Sequence, residues 1–379
     1  MIHVGIDLHT RNMVNVAIND NAEQIKQAKL PTSRKALYDF FRDFDEPVQA
    51  VVECTSSWYW LSDWCRANGV PLTLAHAKMV KAISYAKVKT DKVDARTLAE
   101  LLRAGLIPEA YQVGPERRAL RELTRGRLRM IQRRGKLQSR LWSQAAKYNV
   151  HIDRNQWRYP DELVQWLQSQ LPEVATVEAE LLVDQILQLQ SHIHRLEQMI
   201  ERREAFSGDL ELIKPIPGIG LVNGWSILAE IGDIGRFPSD KQFVSYSRLV
   251  PGSSDSGGAR RHKSGSKDGN KYLRVAFGQA AICAYTHYKP VKQFYRKIKR
   301  RSGRHVARAV VAKELAKIVW HVLSKQEPYK GFSRRDPLGK RAAHAGDLSS
   351  ILAPADKPVR LTGTPSPRAL IGESAGWPE

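Results

Sequence analysis

Four carboxylates in the first hundred residues have the types and positions that metal chemistry needs. Asp7 closes the apolar run of "HVGID", and Glu53 closes "VQAVVE" in the same way. A buried strand that finishes on a carboxylate sets a charge at the sheet's edge, where it requires a partner. Asp91 and Asp94, in "KTDKVDAR", are three apart, which on a helix directs both to one face. Strands lying side by side bring Asp7 and Glu53 together, and a helix packed across that edge delivers the other two. Four gathered carboxylates repel one another unless cations neutralise them, and hard oxygen ligands suit Mg²⁺ or Mn²⁺. Two such ions about 4 Å apart serve in-line phosphoryl chemistry, one at the attacking oxygen and one at the leaving oxygen. Each residue alone also has an ordinary use. Asp7 can cap a turn, Glu53 can pair with an arginine, and Asp91 can be the N-cap of a helix with Asp94 in its first turn. It is their joint order that favours a metal.

The elements that would position them alternate between strand and helix. "IHVGID" and "MVNVAIND" are β-branched and alternating, and "AEQIKQAKL" makes a third strand. "SRKALYDFFRDF" has helical spacing behind a Ser cap, "VQAVVE" is a buried strand, and "SWYWLSDWCRANG" is a helix ended by Gly69. "VPLTLA" is a further strand, and "DKVDARTLAELLRAG" a last helix closed by Gly105. Three consecutive strands followed by strands separated by helices predict a mixed sheet with helices packed on it, over residues 1–112.

A basic helical segment follows, over 113–208. Between Pro115 and Tyr148 eleven Lys or Arg face two Glu, and Leu120, Leu123, Met130, Leu137 and Leu141 fall near a heptad seam that Arg127 and Arg134 interrupt. From Pro172 to Glu204, Ala175, Ala179, Leu182, Ile186, Leu189, Ile193, Leu196 and Ile200 alternate by four and three, the pattern of a coiled-coil seam. The expected product is a long antiparallel helical hairpin. It can serve self-association, or be an ordinary bundle with no intermolecular role.

The third unit, 209–330, reads as mainly helical. "PIPGIGLVNGWSILAEIG" carries a turn between apolar helices and reads as a helix-hairpin-helix element, in which Gly218 and Gly220 let the backbone approach a phosphate. A tight turn between packed helices is the plainer alternative. "SSDSGGARRHKSGSKDGN" has the composition of a linker, yet it lies between well-patterned segments, where function is often placed. Beyond it, the Lys and Arg of "KQFYRKIKRRSGR" are placed to track phosphate backbones, and Val306, Val310, Leu315, Ile318 and Val322 to form core. Residues 331–379, rich in Pro, Gly, Ala and Ser, lack periodicity and are expected to be disordered.

Composition narrows the classes. Of 379 residues, 60 are Lys or Arg and 39 Asp or Glu, a net charge of +21 that favours a polyanionic partner. No apolar run is long enough for a membrane span, and "MIHVGIDLHT" is unlike a secretion signal, so the expected location is the cytoplasm. Cys54, Cys65 and Cys283 form no Cys-x-x-Cys pair, against a disulfide framework or zinc site.

"VGIDLHT", "VVECTSSWYW" and "KTDKVDARTLAELL" together resemble the DEDD transposases of the bridge-RNA-guided insertion sequences, from the N-terminus to about Lys325. That resemblance implies a RuvC-like, ribonuclease-H-like first domain whose Asp, Glu, Asp, Asp motif falls on Asp7, Glu53, Asp91 and Asp94. It implies a C-terminal transposase domain whose nucleophilic serine, which directly precedes a glycine, matches Ser256. Ser254 and Ser264 are the nearby alternatives. Arg260, Arg261 and Lys263 would neutralise charge on the attacked phosphate, and Lys271 and Arg274 of "NKYLR" would bind nucleic acid. The implied partners are donor and target DNA, a structured guide RNA and further copies of the chain, as a dimer or tetramer with composite active sites, in a bacterial or archaeal cytoplasm at the nucleoid. Two rivals remain at this point: a resolvase-like nuclease using metal-activated water, and a non-catalytic nucleic-acid-binding protein.

Overall fold

The computed structural model describes residues 1–55, 57–84, 90–202, 207–256, 259–263 and 268–331. The chain divides into two compact units, Met1–Pro115 and Glu116–Glu379. The segments expected over 113–208 and 209–330 lie together in the second.

The first unit is a five-stranded mixed sheet. Strands β1 (Ile2–Leu8), β2 (Asn12–Ile18) and β3 (Gln24–Pro31) form an antiparallel meander. Helix α1 (Arg34–Phe41) follows, its Ser33 Oγ accepting from the Ala36 amide at 3.2 Å. Strand β4 (Val48–Glu53) then runs parallel to β1, and after helix α2 (Trp58–Ala67) strand β5 (Leu72–Ala75) runs parallel to β4. The spatial order is β3-β2-β1-β4-β5. Two short runs complete the unit, α3 (Ala77–Ile83), which the sequence pattern did not reveal, and α4 (Asp91–Arg103).

Strand alternation divides the hydrophobic residues between two faces. Ile2, Val4, Ile6 and Leu8 of β1 pack with Leu37 and Phe40 of α1 and with Leu61 and Trp64 of α2. On the opposite face Val14, Val16 and Ile18 of β2 meet Ala95 and Ala99 of α4, while Val51 of β4 and Ala75 of β5 meet Leu98 and Leu102. Asp7 and Glu53 share the parity of Gly5 and Val51, so they belong to the face that carries α4.

The second unit is mainly helical: α5 (Pro115–Ala146), α6 (Pro160–Gln170), α7 (Glu173–Glu201), α8 (Ser207–Ile213), α9 (Leu221–Ile231), α10 (Asp240–Tyr246), α11 (Lys271–His287) and α12 (Lys289–Lys325). Helices α5 and α7 run antiparallel, because Arg127 pairs with Glu197 while Arg134, one heptad on, meets Gln190. The two arginines that interrupt the seam are thus its polar ties. Leu141 and Ala145 of α5 bury with Leu163 and Leu167 of α6 and Ala175, Ala179 and Leu182 of α7. Leu120, nearer the start of α5, joins instead the core of α8 to α12. Helix α12 is broken at Gly303, which has φ 78°.

Two expectations change. The segment read as a linker includes paired strands, β6 (Gly252–Ser256) and β7 (Ala259–Lys263), in antiparallel register. A polar composition is compatible with this, because a ribbon needs only backbone hydrogen bonds, whatever its side chains. Gly218, read as a place for a phosphate to approach, is buried with φ 83°, and a Cβ there would lie 2.1 Å from the Ala280 carbonyl of α11. The close approach it allows is to α11. Gly220 is exposed, with open space where a Cβ would stand. The tail from 332 onward lies outside the described residues.

These two glycines should therefore respond differently. Gly218→Ala should cost at least about 2 kcal/mol in urea unfolding, combining left-handed strain with a backbone clash. Gly220→Ala, at the N-cap of α9, should cost less than about 1 kcal/mol.

Candidate metal centre

The parallel pairing of β1 and β4 aligns Ile6 with Val52, so the next residues, Asp7 and Glu53, stand side by side where the two strands end. Helix α4 brings further carboxylates. Its N-cap is Thr90, whose Oγ1 accepts from the Val93 amide at 3.2 Å, so Asp91 is not the cap and lies with Asp94 in the first turn. That turn can reach the strand ends only if α4 lies close on the sheet, and Gly5 permits it. A Cβ at Gly5 would stand 1.9 Å from the Ala95 carbonyl oxygen and 2.7 Å from the Ala99 nitrogen. The α4 backbone thus occupies the volume of an ordinary side chain on β1.

The result is a close trio, one member of which the sequence reading passed over. His9 Nε2 lies 3.2 Å from Asp7 Oδ2 and 3.6 Å from Asp91 Oδ1. One ligand atom from each of Asp7, His9 and Asp91 falls within 4.8 Å of the others, the one such group among the described residues. Glu53 stands on the adjacent strand and Asp94 one turn along α4, both outside the trio. A signal for His9 existed: an Asp-x-His spacing at a strand's end returns both side chains to one face.

Burial pushes the Asp7 carboxyl above the usual carboxylate range, and the negative charges of Asp91 and Asp94 push the same way, against the opposing influence of His9. A partly buried carboxylate among like charges is the environment that a cation relieves. The donor set fits a divalent ion. Asp7 and Asp91 offer hard oxygens and His9 adds a nitrogen, while Glu53 ends the neighbouring strand and Asp94 follows Asp91 on α4.

The other candidate residues lie in the second unit. Ser256 ends β6 and registers with Ala259; Ser254 registers with Arg261, Asp255 with Arg260, and Gly252 with Lys263. Ser264 lies outside the described residues. Lys271 and Arg274 are exposed in the first turn of α11, with the Lys271 ammonium 5.1 Å from the centre of the Tyr272 ring. Among the described residues no helix is long and apolar enough to cross a membrane.

Comparison with known proteins agrees with this arrangement of parts. Residues 4–149 match the model of the IS110-type DEDD transposases, and residues 210–296 match that of the transposases of the IS116/IS110/IS902 family. The chain is 25% identical over 340 residues to a Pseudomonas aeruginosa protein described as "Probable family 20 transposase", covering 86% of this chain and 98% of that one. It is 26% identical over 271 residues to the "Transposase for insertion sequence element IS1111A" of Coxiella burnetii, covering 69% and 74%.

Two outcomes test the centre. Burial raises the Asp7 carboxyl above its unfolded range, so its ionisation costs the metal-free fold stability, and Asp7's contribution is lost as pH rises through that raised range. Asp7→Asn should therefore raise the metal-free melting temperature at pH 7, while added Mn²⁺ raises that of the wild type alone. Gly5→Ala should cost about 1–3 kcal/mol by forcing α4 off β1, and should weaken the stabilisation by Mn²⁺.

Proposed function

The chain belongs to the DEDD transposases of the IS110 type, and from that premise we propose that it cuts and rejoins DNA through a covalent phosphoserine, using Asp7, Glu53, Asp91 and Asp94 to hold divalent cations. The observation that carries the reading is the convergence of Asp7, His9 and Asp91 beside Glu53, at the ends of parallel strands. Bound Mg²⁺ or Mn²⁺ would supply charge neutralisation at the scissile phosphate. The membership of the family supports divalent metal use without distinguishing the two ions.

Ser256 is the proposed nucleophile. Its hydroxyl oxygen forms a bond to the phosphorus of a DNA phosphodiester as the bond from phosphorus to one sugar oxygen breaks. The serine proton leaves to a base, and the departing sugar oxygen gains a proton. Attack by a second sugar hydroxyl on the phosphoserine reverses these changes and regenerates Ser256. The number of phosphoester bonds is conserved, so exchange requires no ATP. Arg260, Arg261 and Lys263, on the strand that pairs with β6, are of the type that neutralises charge on the oxygens of a pentacoordinate phosphorus, and Lys271 and Arg274 of the type that binds nearby phosphates.

In this reading the partners are donor and target DNA and a structured RNA of the element that pairs with both, leaving the protein to read duplex shape and backbone. The acting species is a dimer or tetramer in which metal and serine units of different protomers build one site. The place of action is the bacterial or archaeal cytoplasm, at the nucleoid. The net charge of +21 supports a nucleic-acid partner.

The test is trapping of a covalent adduct on end-labelled donor and target DNA, with Mg²⁺ and RNA transcribed from the element's flanking region. The adduct should fall at least about 10³-fold in Ser256→Ala and in Asp7→Ala, and persist in Ser254→Ala and Ser264→Ala. Cleavage that survives Ser256→Ala with no adduct would replace this chemistry by attack of metal-activated water.

A further inference from the structure

Glu230, in the last turn of α9, is 1% exposed, yet it is a carboxylate in a helical core. Arg125 of α5 grips it with two prongs, Nε at 2.6 Å from Oε1 and Nη2 at 2.7 Å from Oε2. Arg121, one turn earlier, donates to the carbonyls of Ala229 and Glu230 at 2.6 and 2.9 Å. Glu230 Oε2 also accepts from the side-chain amide of Asn270 at 2.7 Å. Buried ion pairs of this kind are weak evidence for stability, since well-packed apolar residues often stabilise as well. A rigid, directional network instead fixes where its members stand.

What Asn270 holds is the base of the β6–β7 hairpin. Its side-chain oxygen caps α11, accepting from the amides of Tyr272 and Leu273 at 2.9 and 3.2 Å. Its own amide donates to the Tyr246 carbonyl at the end of α10, at 2.6 Å. The adjoining Gly269 has φ 99° and lies so close to that same carbonyl that a Cβ would be 2.4 Å away. Arg248, on the entering side, donates from Nε to the Gly269 carbonyl at 2.8 Å. Its own φ of 56° is left-handed, a conformation that a non-glycine residue keeps only where its surroundings enforce it. Residues just before the hairpin, 246–248, and residues after it, 269 and 270, are therefore held in one clamp, and Asn270 joins that clamp to Glu230.

We propose that Glu230 is a positioning residue for Ser256: through Asn270 it fixes the base of the β6–β7 hairpin, and through Arg125 and Arg121 it ties that base to helix α5. This rests on the reading of Ser256 as nucleophile. Glu230 touches no substrate in this scheme; it sets the place from which the hairpin reaches.

The experiment uses the full chain in the adduct assay, under single-turnover conditions, together with hydrogen exchange. Asn270→Ser keeps an oxygen to cap α11, but its side chain is one atom shorter and its hydroxyl does not reach Glu230 as the Asn270 amide does. It should slow adduct formation about 10- to 100-fold with DNA affinity unchanged, the cost of a misplaced reacting group. Amides of 252–256 and 259–263 should exchange faster, while those of α9 and α11 hold. Glu230→Gln should do the same, and combining it with Asn270→Asp exchanges donor for acceptor and should restore part of the rate. If both single variants melt earlier but, at equal folded fraction, retain the adduct rate and the hairpin exchange, Glu230 is a core ion pair and the proposal is overturned. An adduct that survives Ser256→Ala would instead refute the nucleophile, and faster exchange confined to the hairpin would still support the clamp.

Discussion

The contact between the backbone of α4 and Gly5 of β1 is the constraint on which the carboxylate site depends. Two parallel strands set only two acidic residues side by side, Asp7 and Glu53. A third and fourth must come from elsewhere in the chain, on an element near enough for a single ion to span. The distance at which a helix packs is set by the side chains at the contact, and an ordinary side chain at residue 5 would hold α4 farther from β1. With the Cβ volume at residue 5 filled by the Ala95 carbonyl, the helix descends onto the strand and its first turn meets Asp7. Ala95 and Ala99, on the same helix face, are the small residues that this approach requires. The cost is electrostatic: burial first, and then the nearby charges of Asp91 and Asp94, push the Asp7 carboxyl above its usual range.

The second unit solves its electrostatic problem the opposite way. Its lysines and arginines together greatly outnumber its acids, and three half-buried arginines are met by specific partners: Arg125 by Glu230, Arg127 by Glu197, Arg134 by Gln190. In one unit, carboxylates gather beside one another; in the other, arginines are held by carboxylate or amide partners within the fold. The first arrangement favours binding of a cation and the second fixes geometry.

Much of this was legible in the sequence. The period of two in "IHVGID" and "MVNVAIND" and the Ser33 cap each encode a local choice that the fold follows, and most of the apolar positions from Ala175 to Ile200 are buried on α7. So was the adjacency of Asp7 and Glu53, because strands in a mixed sheet align their ends. Other parts were hidden for identifiable reasons. His9 was overlooked because its one signal, the two-residue spacing from Asp7, is shared by many histidines beside strands. Helix α6 was missed because "PDELVQWLQSQ" is short and half polar, its burial supplied by neighbours. Gly218 and Gly5 show the limit most clearly: a glycine announces that something comes close, and only the fold says whether it is a ligand or another helix. Glu230 was unreadable, since its partners lie about a hundred positions before it and forty after.

The pairing of α5 with α7 has a mechanical meaning. A step of seven residues from Arg127 to Arg134 matches a step of seven backwards from Glu197 to Gln190. Sliding one helix by a turn would break both ties together and leave partly buried guanidinium groups facing the wrong partners. Such a pair resists shear in a way that an all-leucine seam does not, since apolar side chains re-seat at every register. With 29 residues in α7 and a rise of about 1.5 Å each, it forms a stiff strut of roughly 44 Å. Force applied at its far turn is delivered to the core as displacement, with little lost to slippage.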